Sequence, residues 1–258
     1  MNRRDTVLAF LALGSAPLAL LLGACAHTGA PTLSSERIAE ILASPDRRAA
    51  DRTNDTRRKP QEMLAFIGLR PGMVALDLSA GGGYTTELIA RSVGPTGRVY
   101  GQSRPRAPDS PVPAAPEGAA NPAAAASPAP VAAPRPAGPP NSPVALAERA
   151  KNPAASNIIA VVRKFEGPVP PEVASNALDL VTLMFNYHDL GWIGVDRAQM
   201  NRAVFAALKP GGAFVIADHS GRPGTGVSES GTLHRIEEAF LRELTEFVFN
   251  YLGFGDFV

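Results

Sequence analysis

The chain has one cysteine in 258 residues, which excludes a disulfide framework and any metal site built from several thiolates. It has no surplus of charge: 25 Lys and Arg against 24 Asp and Glu leave a formal +1. That balance provides neither a broad basic field for nucleic acid nor an acidic one for a cationic partner. Its longest apolar run, Val7 to Leu22, falls short of the roughly 20 residues a membrane-spanning helix needs, and Gly14, Ser15 and Pro17 interrupt it. At 45% hydrophobic and 19% charged, the chain has the composition to bury a core. Proline, by contrast, is abundant. Thirteen of the 25 prolines lie between Pro105 and Pro143, so the average composition hides unlike segments.

Residues 1–24 read as a signal peptide, with Arg3 and Arg4 ahead of the apolar run. Leu22-Gly23-Ala24-Cys25 looks like a bacterial lipobox, in which Cys25 is lipidated and becomes the first residue of the mature chain. The pair Arg3-Arg4 also resembles a twin-arginine export signal, although Thr6 stands where that pattern has a hydrophobic residue. The expectation is an exported lipoprotein on the periplasmic face of a bacterial membrane, held by its N-terminal lipid. Residues 104–143 form an Ala/Pro-rich segment without helical or strand period, expected to be a solvated, disordered insertion. It divides one domain into residues 25–103 and 144–258.

The remainder alternates helical and strand patterns. Ser35 to Ala43 has Ile38, Ile41 and Leu42 at helical spacing, and Pro60 opens a helix that Gly68 closes. Met73 to Leu78 is a short apolar run, followed by Gly81-Gly82-Gly83 and a helix from Tyr84 to Arg91. Further strands are expected from Val99, over Ile158 to Val162, over Leu178 to Phe185 and over Ala213 to Asp218. An amphipathic helix spans Arg197 to Leu208. Strands separated by helices imply right-handed crossovers, hence an α/β fold with a doubly wound, mostly parallel sheet.

In such sheets ligands bind beyond the carboxyl ends of the strands, where the strand order reverses. The bend after Asp77 is therefore the first place to look. Glycines let backbone amides approach a ligand closely, and an acid before them suits an amino group better than a phosphate. A dinucleotide fingerprint fails here, because Gly81 and Gly83 are followed by Thr86 where a third glycine is required.

Four segments together resemble the class I S-adenosylmethionine-dependent methyltransferases. They are Pro71-Gly72-Met73-Val74-Ala75-Leu76-Asp77-Leu78, Gly81-Gly82-Gly83-Tyr84, Asp179-Leu180-Val181-Thr182-Leu183 and Leu208-Lys209-Pro210-Gly211-Gly212-Ala213-Phe214. The likeness is greatest to bacterial members that carry export signals. It implies a Rossmann-like methyltransferase fold, S-adenosyl-L-methionine as cofactor, and Asp77, Gly81 and Gly83 around its methionine portion. Ser79 replaces the first glycine of the family pattern. Gln102 stands where an acid usually grips the ribose, and Glu166 lies near the place of the adenine contact. The acceptor is expected over Asn186-Tyr187-His188-Asp189 and Asp218-His219, with His188 or His219 as base, Asp189 or Asp218 orienting it, and Asn186 and Tyr187 aligning a small-molecule nucleophile. A metal on Asp189, Asp218 and His219 is a minor variant, and no metal is assigned. Thr232 to Glu238 is expected to open a helix over the acceptor side. Arg52, Asp55, Arg57 and Arg58 form either a lid or a solvated face. The family ends with two strands for which Phe247 to Val258 has little room, so the sheet is expected to lack its last strands, as if truncated.

Two readings compete. One is an enzyme transferring a methyl group to an oxygen or nitrogen. The other is an exported, membrane-anchored binding protein with a degenerate, non-catalytic version of the fold, favoured by Ser79, Gln102 and the separation of a periplasmic protein from cytosolic cofactor. A nicotinamide oxidoreductase is disfavoured by the glycine spacing.

Overall fold

The computed structural model describes residues 31–105 and 142–246. Five strands, β1 (Val74–Leu78), β2 (Arg98–Ser103), β3 (Ile158–Val162), β4 (Leu178–Met184) and β5 (Leu208–Ala217), form one sheet in the order β3-β2-β1-β4-β5. Every neighbouring pair is parallel. The chain steps outward from β1 to β3, then returns to the other side of β1. The order therefore reverses at β1, and β1 is central as expected.

Cross-strand rows show why these residues make a two-faced core. Ala75, Val99 and Leu180 are aligned and belong to one buried cluster, whereas the next row, Leu76, Tyr100 and Val181, belongs to the other. Successive side chains of a strand point to opposite faces, so one apolar run supplies both layers. The first layer is covered by α1 (Ser35–Ala43), α3 (Pro60–Ile67), α4 (Tyr84–Val93) and α5 (Ser142–Arg149). α7 (Arg197–Ala207) and α9 (Glu238–Glu246) cover the second, with α6 (Tyr187–Trp192) after β4. Capping follows the sequence: the Ser34 hydroxyl accepts from the Arg37 amide, Pro60 occupies the first turn of α3, and Gly68 leaves that helix in the left-handed region at φ 67°.

Several expectations need correction. The charged stretch before Pro60 is helical, α2 (Ala49–Arg58), because its buried Asp51 is paired by Arg149. Helix α5 starts at Ser142, inside the range read as insertion, since Ala145 and Leu146 are buried against the sheet. β5 begins at Leu208, with an irregularity between Leu178 and Leu180 that admits the Pro-Gly-Gly stretch. The helix expected from Thr232 to Glu238 is broken: α8 (Ser230–Leu233) stops at His234, whose φ is 52°, and Ile236 instead bridges Ser220. No described helix is long and apolar enough to cross a membrane. Cys25, the signal peptide, most of the Ala/Pro segment and Phe247 to Val258 lie outside the described residues.

Candidate functional site

The bend after β1 is built from unusual backbone. Ser79, Gly81 and Gly83 have φ of 55°, 54° and 81°, a region that glycine enters without strain and serine does not. Ser79 is held there from both sides. Its amide donates to Gln102 Oε1 at 3.0 Å, and its hydroxyl donates to Asn186 Oδ1 at 2.6 Å. A β-carbon on Gly82 would meet nothing within 4 Å, and one on Gly81 only the Ser79 carbonyl at 3.8 Å. Gly83 differs: its β-carbon would lie 2.7 Å from Arg149 Cδ and 2.8 Å from Leu146 Cδ2. The first two glycines thus leave open space, whereas the third makes room for α5.

Asp77 is fully buried. Its carboxylate accepts from Thr86 Oγ1 at 2.6 Å and Thr182 Oγ1 at 2.7 Å. Burial raises its pKa to about 6 despite those hydroxyls. Asp77 therefore braces the bend from beneath and is not presented to a ligand's amino group. Gln102 is equally internal: besides holding Ser79, its amide nitrogen donates to the Arg163 carbonyl at 2.6 Å. Neither side chain is turned outward as the sequence suggested. Glu166 is half-buried in the turn after β3, the far edge strand, two strands from the bend.

Helix α2 spans the carboxyl ends. Asp55 accepts from the Tyr84 hydroxyl at 2.7 Å, directly beyond the glycines. Arg58 lies 4.2 Å from the ring centroid of Phe185, at the end of β4. The charged segment divides between its two readings: Asp55 and Arg58 turn toward the bend and the end of β4, whereas Arg52 and Arg57 are exposed. Beneath it Arg149 donates to the Gly82 carbonyl at 2.6 Å and to Asp51 at 2.7 Å and also pairs with Glu87. Sequence reasoning missed this residue. Its only signal was a lone arginine three positions after the buried Leu146.

Across the sheet, the ends of β4 and β5 carry a second polar group. The His188 ring is buried, with Nδ1 2.7 Å from Asp218 Oδ1 and Nε2 3.2 Å from Asp189 Oδ1. Asp218 also accepts from the backbone amides of His188 and His219, both at 2.8 Å. Burial opposes the charged ring, but the two carboxylates outweigh it and raise His188 to about 9. His234 approaches from the α8 side, its Nδ1 3.3 Å from His188 Nε2 and 3.6 Å from Asp189 Oδ1. Asn186 donates to Asp189 Oδ2 at 2.5 Å and so connects this cluster to Ser79. His219 stands apart: it is exposed, stacks at 5.3 Å on Phe185, and its pKa is lowered chiefly by partial burial. Tyr187, expected beside the acceptor, is wholly buried in the second core layer.

A parallel five-stranded sheet between helical layers, a glycine bend at the central strand and polar side chains past the ends of the next two strands define a class. This is the Rossmann-like fold of S-adenosylmethionine-dependent methyltransferases. Among solved structures, a methyltransferase of that dependence from Aquifex aeolicus aligns with 84% of this chain and 88% of its own, at TM-score 0.51 and 16% identity. An arsenic(III) S-adenosylmethionine methyltransferase from Chlamydomonas reinhardtii aligns with 82% of this chain and 61% of its own, at TM-score 0.49 and 16% identity. No protein-family model and no curated protein matches the sequence.

Proposed function

We propose that the chain binds S-adenosylmethionine over Gly81 and Gly82 and transfers its methyl group to an oxygen or nitrogen of a small molecule. The observation that carries this reading is the open bend at the central strand, where the sheet order reverses and two adjacent glycines face empty space. S-adenosylmethionine, when bound, would supply a sulfonium methyl carbon for in-line displacement with a neutral thioether as leaving group, and this chain's part would be to align the acceptor and take up its proton. His219 suits that role better than His188. It is exposed and its lowered pKa keeps the ring neutral near pH 7, whereas both ring nitrogens of His188 already face carboxylates. Asn186 and Asp189 line the acceptor side.

The grip on the ribose is the weak point. Gln102 is engaged internally, and loss of one charge-assisted hydrogen bond lowers affinity by about tenfold to a hundredfold. This is also the observation that favours the second reading, a binding protein without sustained catalysis. Calorimetric titration of the chain with S-adenosylmethionine and its demethylated product decides the matter. The expected result is binding in the micromolar to millimolar range, abolished in Gly82→Leu, whose β-carbon meets no neighbour within 4 Å and whose side chain enters the space the cofactor would occupy. No heat at millimolar ligand would remove the cofactor reading and leave the binding protein.

For the whole chain we propose residues 1–24 as export signal, a lipid on Cys25 and a periplasmic membrane location, with the Ala/Pro segment as a linker within one domain. The motif Leu22-Gly23-Ala24-Cys25 supports this. Incorporation of labelled fatty acid that is lost in Cys25→Ser tests it.

A further inference from the structure

The cluster at the ends of β4 and β5 contains three ligand atoms facing one another: His188 Nε2, Asp189 Oδ1 and His234 Nδ1. Their separations are 3.2, 3.3 and 3.6 Å. Bonds of about 2.0–2.1 Å at tetrahedral angles place ligand atoms roughly 3.3–3.4 Å apart, while right angles at the same bond length would require about 2.9 Å. The observed triangle matches one face of a tetrahedron.

The surroundings fit as well. Asp218 already accepts two backbone N–H bonds, so it meets His188 as an acceptor and fixes the ring proton on Nδ1. Nε2 thereby faces Asp189 and His234, and a metal ion binding there displaces the proton that Nε2 otherwise shares with the Asp189 carboxylate. An outer carboxylate that orients a histidine in this way is the usual support of a metal-binding imidazole. Asp189 is held in turn by Asn186 on one oxygen and by Trp192 Nε1, at 2.9 Å, on the other. The His234 and Asp189 side chains remain 30% and 20% exposed, so solvent reaches a fourth position.

From this geometry we propose that His188, Asp189 and His234 bind a divalent transition-metal ion, Zn2+ by its preference for two imidazoles, one carboxylate and a tetrahedral shell, with water as fourth ligand. This set differs from the one considered from the sequence. Asp218 supports a ligand and is not one itself, His219 is directed to Phe185, and His234 supplies the third atom. The site does not depend on the methyl-transfer reading.

The test uses the untagged full chain, stripped by a chelator and titrated with Zn2+ by calorimetry and with Co2+ by visible absorption. We expect one equivalent of each ion and the intense bands of tetrahedral Co2+. His234→Ala should weaken Zn2+ binding at least about 100-fold, and Asp218→Asn by about 10–100-fold although it removes no ligand atom. His219→Ala should leave binding unchanged. His188 is buried, so its replacement risks the fold. His234→Ala and Asp189→Asn, checked by circular dichroism, carry the argument in its place. Absence of binding would overturn the proposal and leave a proton between the rings and the carboxylates. So would binding that survives His234→Ala and Asp189→Asn, or a weak octahedral Co2+ spectrum.

Discussion

The carboxyl edge of the sheet has two halves that treat polar residues in opposite ways. Around β1 and β2, Asp77, Gln102, Glu87 and Arg149 are buried and matched to partners within the chain. Past β4 and β5, His188, Asp189, His234 and Asp218 converge on one another, with His234 and Asp189 partly open to solvent. The first half is a scaffold that holds a bend in the left-handed region. The second brings two ring nitrogens and a carboxylate oxygen within 3.6 Å of one another. The motif at β1 thus reports the fold, whereas the residues past β4 and β5 are the ones on which the proposed base and the proposed metal site rest.

The strongest way to break this comparison is to remove the charge that locks the first half. Arg149 joins α5 to Asp51 of α2, Glu87 of α4 and the Gly82 carbonyl. Arg149→Ala leaves the buried carboxylate of Asp51 without its cation, while Glu87 keeps only Arg91, and breaking a buried pair in this way costs about 3–5 kcal/mol. Denaturant unfolding should show that loss. A loss below about 1 kcal/mol would mean that the half around the bend is not held by its ion pairs.

Asp77 gives the next largest effect, and it depends on pH. Its folded pKa of about 6 lies above the ordinary 3.8 because the ionised form is buried. A raised folded value stabilises the protein fully below the unfolded pKa, and that contribution is lost as pH rises through 6. At about 1.4 kcal/mol per unit the loss is on the order of 3 kcal/mol. Asp77→Asn keeps groups that can bond both threonine hydroxyls but cannot ionise. Its stability should therefore change less than the wild type's between pH 4 and 7. Parallel curves for the two proteins would place the Asp77 carboxylate in contact with solvent.

These two positions also mark how far the sequence could be read. The short apolar run from Met73 to Leu78 and the glycines after it located the central strand and the bend. All five strands, and the helices α1, α3, α4 and α7, follow from local period and caps. What stayed hidden depends on partners distant in sequence. The α2 segment stays open between a lid and a solvated face until Arg149, 98 residues away, is seen to pair with Asp51. The inward turn of Gln102 depends on the Ser79 amide and the Arg163 carbonyl. His188 and His234 are 46 positions apart, and a left-handed break at His234, in a stretch with helical pattern, brings the rings together. Burial of Tyr187 was likewise not visible in a run of polar neighbours.

The glycines sharpen the comparison at smaller scale. Gly83→Ala forces a β-carbon to within 3 Å of α5 at a residue with φ 81°, and overpacking of that kind costs about 1–3 kcal/mol. Gly82→Ala meets no neighbour and should change stability by less than about 0.5 kcal/mol. Equal melting shifts for the two variants would mean that α5 moves aside freely and that Gly83 is not the packing point between bend and helix.

The smallest effect tests whether the two halves communicate. Arg58 reaches from α2 to the Phe185 ring, on which His219 also stacks, and its positive charge is one of the causes that lower the His219 pKa after partial burial. Arg58→Ala removes one cation–π contact, about 0.5–1 kcal/mol of stability. It also removes a like charge from the vicinity of the imidazole. The His219 pKa should then rise toward the ordinary 6.5, readable by NMR from its ring C–H shift across pH. Arg58→Lys keeps the charge near the ring and should hold the pKa down while losing part of the stacking. If His219 titrates identically in all three proteins, the charge of α2 does not reach the ends of β4 and β5, and the two halves act independently.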